Sequence, residues 1–217
     1  MTTLNGQIIG FIGLGIMGKR MARNLHAAGA TMIVHNRSQA VVEELATDGM
    51  RAAATPAEVA EAADTVIIMT PDSTSVEKVL RGPDGLIGGL TDGTLVIDMG
   101  TTKVTATRDF AKEVTAAGGA YLDAPVSGGS LGAENRTLTI MVGGTEEDLD
   151  RARPIFEVLG QRLTHIGAIG TGQVAKAANQ VIVGLSIGAV AEALVLAKKA
   201  GADPARVRAA LKGGFAD

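Results

Sequence analysis

An apolar run from Gln7 to Ile12 ends in glycines at positions 13, 15 and 18, and a helical pattern from Met17 to Ala28 follows at once. Few folds accommodate that order. In the G-x-G-x-x-G spacing of Gly13, Leu14, Gly15, Ile16, Met17 and Gly18, the first glycine can turn the chain tightly out of a strand. The second, Gly15, carries no Cβ to hold a pyrophosphate off the backbone, and Gly18 lets the helix lie close to the strand. The helix N-terminus then offers free N–H groups and the positive end of a dipole to phosphates. A glycine-rich turn alone says little. The strand before it and the helix after it give the context of a dinucleotide-binding loop.

A second strand, Thr31–Met32–Ile33–Val34–His35, ends in Asn36–Arg37–Ser38. Sites that prefer NAD usually place Asp or Glu here to accept both ribose hydroxyls, whereas a phosphorylated ribose calls for Arg. Asn36 is neutral, Arg37 can grip a phosphate through two N–H groups, and Ser38 can donate a further hydrogen bond. The expected cofactor is NADP(H), with NAD(H) still admissible.

Strand and helix signals then alternate. A short helix is expected over Gln39–Asp48 and a brief strand over Arg51–Ala53. At Thr55–Pro56–Ala57–Glu58, Thr55 caps, Pro56 takes the first turn and Glu58 reaches back. Thr65–Met69 is a continuous apolar strand of the kind buried in parallel sheets, ending in Thr70–Pro71–Asp72. Thr74–Ser75–Val76–Glu77 is expected to cap the next helix. Further strands are expected over Thr94–Met99 and Tyr121–Ala124, with a helix to about Ala117 between them, and over Leu138–Val142 and Arg162–Ile166, flanking a helix over Glu146–Leu159. This is the pattern of a doubly wound, Rossmann-type α/β sheet, whose ligands lie at the carboxyl ends of the strands. Gly167–Gly172 reads as a flexible turn, followed by a helix from Gln173 to about Ala200 and another from Asp203–Pro204. The expected division is a dinucleotide-binding domain over 1–166, then a long interdomain helix and the start of an all-helical domain over 167–217.

The formal charge of −3 leaves no basic face for nucleic acid or anionic lipid. With no cysteine there is neither a disulfide nor a thiolate metal site, which fits a reducing, cytoplasmic setting. The uncharged first eighteen residues lack the cationic start of a signal peptide. The late apolar run Ala177–Ala191 is shorter than a bilayer span and carries Asn179, Gln180 and Ser186, so a soluble protein without a membrane partner is expected.

Lys176 falls just over one turn into the long helix, with Asn179 and Gln180 at i+3 and i+4 on its face. A carbonyl reductase needs a proton donor beside the carbonyl oxygen, and a partly desolvated lysine can serve, with Asn179 or Gln180 orienting it or the substrate. Ser127–Gly128–Gly129 follows a strand end, where backbone N–H groups and a hydroxyl can bind a carboxylate. Ser127 lacks the G-x-S-x-G elbow of a serine hydrolase. His26, His35 and His165 have no metal-ligand spacing, so no metal site is expected.

Four motifs together resemble the β-hydroxyacid dehydrogenase family, the group of 3-hydroxyisobutyrate dehydrogenase and tartronate semialdehyde reductase. They are Phe11–Gly18 with Met21–Ala22–Arg23–Asn24–Leu25, Asp98–Met99–Gly100–Thr101, Asp123–Ala124–Pro125–Val126–Ser127–Gly128–Gly129, and Gly170 through Lys176 to Gln180. The resemblance implies that Lys176 is the acid/base and that Ser127, Gly128 and Gly129 hold the substrate carboxylate. It also implies that Thr101 lies beside nicotinamide and substrate, and that Met69, Thr70 and Pro71 line the cofactor. The Asn179–Gln180 pair and Leu211–Lys212–Gly213–Gly214–Phe215–Ala216 resemble the tartronate semialdehyde reductase branch. Gly100 departs from the serine usual there, which would loosen that loop. Family members continue for several further helices that close the active site and make the subunit contact.

The expectation is therefore an NADP(H)-dependent oxidoreductase interconverting a small 3-hydroxy or 2,3-dihydroxy acid and its semialdehyde. The alternatives are 3-hydroxyisobutyrate chemistry, a catalytically silent NADP-binding module, and an imine reductase, against which Lys176 argues. The long helix is apolar on nearly every face, through Val174, Val181, Ile182, Val183, Leu185, Ile187, Val190, Leu194, Val195 and Leu196, with Gly184 and Gly188 allowing close backbone approach. Such a helix is expected to be buried, here in a homo-oligomer.

Overall fold

The computed structural model describes residues 2–214, so Phe215 and Ala216 of the last resembling motif lie outside the described residues. The chain divides into two compact units, one running to Lys176 and one from Ala177.

In the first unit, short apolar segments form the strands. β1 (Ile8–Ile12) lies between β2 (Thr31–His35) and β4 (Thr65–Ile68), with β3 (Arg51–Ala52) outside β2, all parallel. β5 (Leu95–Asp98) and β6 (Ala120–Asp123) extend the sheet beyond β4, also parallel. The order 3-2-1-4-5-6 is that of the dinucleotide-binding doubly wound fold. β8 (Leu138–Gly143) then runs antiparallel to β6 and to the two-residue β7 (Val126–Ser127), and β9 (Gly160–Gly167) pairs parallel to β8.

The pleat sends alternate residues to opposite faces, and each face has its own core. Ile9 and Phe11 of β1, Ile67 of β4 and Leu95 and Ile97 of β5 meet Met21 and Leu25 of α1 (Gly18–Ala27) and Ile155 and Phe156 of α7 (Glu146–Leu159). Ile12, Val66, Ile68 and Val96 meet Val59 of α3 (Pro56–Glu61), Leu80 of α4 (Ser73–Arg81) and Phe110 of α5 (Val104–Ala116). Each such side chain contributes about 1.5–3 kcal/mol by leaving water. With aromatics only 2% of the chain, aliphatic packing carries both layers.

Several local readings are corrected. The cap of α4 is Asp72, whose Oδ1 accepts from the Ser75 N–H at 2.8 Å, and Thr74 lies inside the helix. The carboxylate two residues earlier reaches the free N–H groups first and carries the charge the helix dipole favours. Ser127, expected after the end of a strand, belongs to a strand of its own, and Gly129–Glu134, for which no element was expected, forms a helix (α6). The turn expected over Gly167–Gly172 is shorter, because α8 (Thr171–Lys199) already includes Thr171 and Gly172.

The second unit holds the rest of α8 and α9 (Pro204–Leu211), which Asp203 caps by accepting the Ala205 N–H at 2.9 Å. Val181, Ile182, Leu185, Ile187 and Leu196 are exposed, so the burial expected of this helix does not occur within the described residues. At 29 residues, α8 is by length and composition long and apolar enough to cross a membrane. The bound drawn from Ala177–Ala191 fails because the helix continues past that run at both ends.

Candidate functional site

The glycine loop leaves β1 as its spacing required. Gly13 sits at φ +99°, where an L side chain is strained, and its Cβ position would collide with the Met69 carbonyl at the end of β4. A Cβ on Gly18 would collide with the Gly13 carbonyl, so only glycine lets α1 start this close to β1. Around Gly15 the space is open. The first turn of α1 has neither a side-chain cap nor an acidic residue, which leaves the positive end of its dipole for an anion. Gly13, Leu14 and Gly18 are buried, Met17 is half-buried, and Gly15 and Ile16 are exposed.

Asn36 braces this loop. Its Oδ1 accepts the Leu14 N–H at 3.0 Å and its Nδ2 donates to the Ser38 carbonyl at 3.2 Å. Arg37 is exposed and has no hydrogen-bond or ion-pair partner among the described residues. On the other side of the loop, Met69 and Thr70 are half-buried and Pro71 exposed. The Thr70 hydroxyl oxygen is buried without a hydrogen-bond partner among the described residues. An open glycine, an uncapped helix start, an unspent guanidinium and an orphaned hydroxyl, gathered at the ends of β1, β2 and β4, fit a nicotinamide dinucleotide.

The ends of β5 and β6 carry the second half of the site. Asp98 and Asp123 are register partners, and both side chains are fully buried. Asp98 Oδ1 accepts the Gly100 N–H at 3.0 Å, and Oδ2 accepts the hydroxyls of Thr102 at 3.2 Å and Tyr121 at 3.3 Å. Asp123 accepts the N–H groups of Gly170 at 2.6 Å and Gln173 at 2.9 Å, a carboxylate cap on α8 supplied from across the sheet. Burial pushes both carboxyls up to about 6, against the opposing pull of these donors. The Tyr121 phenol is raised too, chiefly by burial.

Lys176 lies on the first turns of α8, and its side chain is nearly covered. Its Nζ donates to the Val126 carbonyl at 2.8 Å, one residue before Ser127, and burial lowers its pKa. Ser127 is half-buried, Gly128 and Gly129 are exposed, and Gly128 takes φ +136°. Asn24 of α1 steadies the same segment from behind, donating to the Ala133 carbonyl at 2.7 Å and accepting from Arg136 Nε at 3.1 Å. Thr101 is exposed, between Gly100 and Thr102 on the loop that follows β5. That loop is not loosened by Gly100. Both its N–H and its carbonyl are hydrogen-bonded, and a Cβ there would press on the Thr70 carbonyl.

The first unit thus joins Lys176 to the Val126–Ser127 segment. Asn179 and Gln180 belong to the second unit, where Asn179 Nδ2 donates to Gln180 Oε1 at 3.0 Å. Sequence reasoning gave no role to Asp98, Asp123, Gln173 or Asn24. The available signal was the charge that ends each of two otherwise apolar strands. No cluster of metal-ligating side chains occurs among the described residues.

Residues 8–167 match the NAD binding domain of 6-phosphogluconate dehydrogenase, and residues 170–217 match the NAD-binding domain of NADP-dependent 3-hydroxyisobutyrate dehydrogenase. The chain is 50% identical over 208 residues to the 2-hydroxy-3-oxopropionate reductase of Escherichia coli, covering 96% of this chain and 71% of that enzyme. It is 41% identical to a probable mitochondrial 3-hydroxyisobutyrate dehydrogenase of Dictyostelium discoideum, covering 95% of this chain and 64% of that protein's length. Among solved structures, Mycobacterium tuberculosis 3-hydroxyisobutyrate dehydrogenase with L-serine superposes with a TM-score of 0.89 at 34% identity, over 97% of this chain and 72% of that one. Psf3 in complex with NADP+ and 2-OPP gives 0.86 at 28% identity, over 94% and 72%.

Proposed function

The chain belongs to the β-hydroxyacid dehydrogenase family, and we propose that it is an NADPH-dependent reductase of a short semialdehyde acid, foremost 2-hydroxy-3-oxopropionate. The observation that carries the reading is the buried Lys176 ammonium, held by the Val126 carbonyl next to Ser127. The glycine loop would hold NADPH, whose nicotinamide would supply hydride for the carbonyl carbon. Arg37 and Ser38 would hold the ribose phosphate, while Asn36 is spent on bracing Leu14 and leaves the choice of cofactor to them. The Ser127 hydroxyl and the N–H groups of Gly128 and Gly129 hold the substrate carboxylate. Thr101 flanks the reacting carbonyl.

Lys176 gives its proton to the carbonyl oxygen as the alkoxide forms. The lowered pKa suits that task, since an acid nearer neutrality gives up its proton more readily and regains it from water. In the reverse direction the neutral amine accepts the proton of glycerate. Lys176→Ala should leave NADPH binding nearly intact and lower turnover by about 10²–10⁴, the usual worth of general acid–base help. Near-parent turnover in that variant would remove lysine from the mechanism. A 3-hydroxyisobutyrate preference, which the names of the Dictyostelium and Mycobacterium relatives suggest, would appear as faster oxidation of that acid than of glycerate.

A further inference from the structure

Gln173 is 1% exposed, and it stands three residues before Lys176 in the first turn of α8. A buried amide must be hydrogen-bonded, and this one spends both ends on one loop. Its Oε1 accepts the Thr102 N–H at 3.0 Å, and its Nε2 donates to the Gly100 carbonyl at 3.0 Å. Rotating the amide by half a turn would set donor against donor and acceptor against acceptor, so the orientation is fixed by its partners. The two bonds straddle Thr101 and use none of its own groups. Gln173 is itself anchored, since its N–H goes to Asp123, while Asp98 holds the far side of the loop through Gly100 and Thr102.

We infer that Gln173 is a positioning residue that registers the Thr101 loop against Lys176. The inference rests on the roles proposed above for those two residues. Positions three apart share one helix face, so a shift of the Gln173 amide moves the loop relative to the lysine that protonates the substrate. The bracket keeps Thr101 from drifting as substrate enters and leaves. Its value lies in alignment and not in contact with any reactant.

The test uses the full chain with NADPH and 2-hydroxy-3-oxopropionate. Gln173→Met keeps the length of the side chain and removes both bonds. Turnover should fall by about tenfold to a hundredfold, the scale of a misplacement near 1 Å. NADPH affinity should be retained, and backbone hydrogen exchange should quicken over residues 99–103 and not in β1. Thr101→Ala should also cost turnover, and the two losses should not multiply in the double variant, because a loop without the Thr101 hydroxyl has little left to align. If the methionine variant fails to fold, Gln173→Asn keeps a neutral amide one methylene too short to reach both Gly100 and Thr102, and it should show the same pattern. Unchanged turnover in the Gln173 variants, or losses that multiply with Thr101→Ala, would overturn the clamp while leaving the mechanism standing. If Thr101→Ala is itself silent, the reading of Thr101 falls and takes the clamp with it.

Discussion

The two units handle apolar surface in opposite ways. Up to Lys176, nearly every large aliphatic side chain is covered from both faces of one sheet, and the buried carboxyls are saturated with donors. From Ala177 onward, the longest helix of the described residues presents Val181, Ile182, Leu185 and Leu196 to solvent. The same residue types are a core in one unit and a surface in the other. The difference teaches that hydrophobic pattern specifies an element, whereas burial needs a second element to meet it. The sheet supplies its own cover through alternating helices; for α8 we propose a second copy of the chain.

Breaking the core is expected to have the largest effect. Ile67 is 0% exposed in β4, and Ile67→Ala should cost about 2–5 kcal/mol of stability, independent of protein concentration. Denaturant melts at two concentrations would check it, and a concentration-dependent cost would mean that the sheet domain, too, relies on a neighbour.

The buried carboxyls give the next effect. Burial lifts Asp98 to about 6 in the folded protein, above its unfolded value, so the folded state holds that proton more tightly. The stability it confers is present below about pH 4 and lost as pH rises through about 6. Asp98→Asn, which cannot ionise, should therefore gain on the parent by up to about 3 kcal/mol between about pH 4 and pH 7, whatever its fixed offset. Parallel stability–pH curves for the two proteins would refute it.

Arg37→Ala should erase most of a preference for NADPH over NADH, a loss of about 1.5–3 kcal/mol, roughly tenfold to over a hundredfold. Titration of the parent with both cofactors checks it, and equal affinities would sink the phosphate reading. Smallest is the exposed helix: Leu185→Ala should weaken self-association by about 1–2 kcal/mol without lowering the stability of the sheet domain. Light scattering at micromolar concentration would show it, and a parent chain that stays monomeric would remove the second copy as the cover.

What could be read from the sequence was what is local. The glycine loop, the strand ends, and the Thr55 cap with the returning Glu58 carboxylate at 2.8 Å from the Ala54 nitrogen depend on neighbours a few residues apart. The family motifs also singled out the two segments that the Lys176 to Val126 hydrogen bond joins. Hidden were the couplings of distant segments. Gln173 meets Thr102 across 71 residues and Asp123 across 50, and no periodicity marks such a pair. The α6 helix was hidden for a different reason, because glycines at its start give no helix signal while Asn24, from another helix, holds the Ala133 carbonyl at its far end. The exposure of α8 could not be read either, since pattern alone says that a face is apolar and not what lies against it.

The pH dependence of NADPH-driven reduction tests the role of Lys176 most directly. In the parent, turnover should fall on the alkaline side as Lys176 loses its proton, at a pH below the ordinary lysine range because burial disfavours the ammonium. In Lys176→Ala that limb should vanish, leaving a low and flat profile. The same alkaline limb in both proteins would contradict Lys176 as the proton donor.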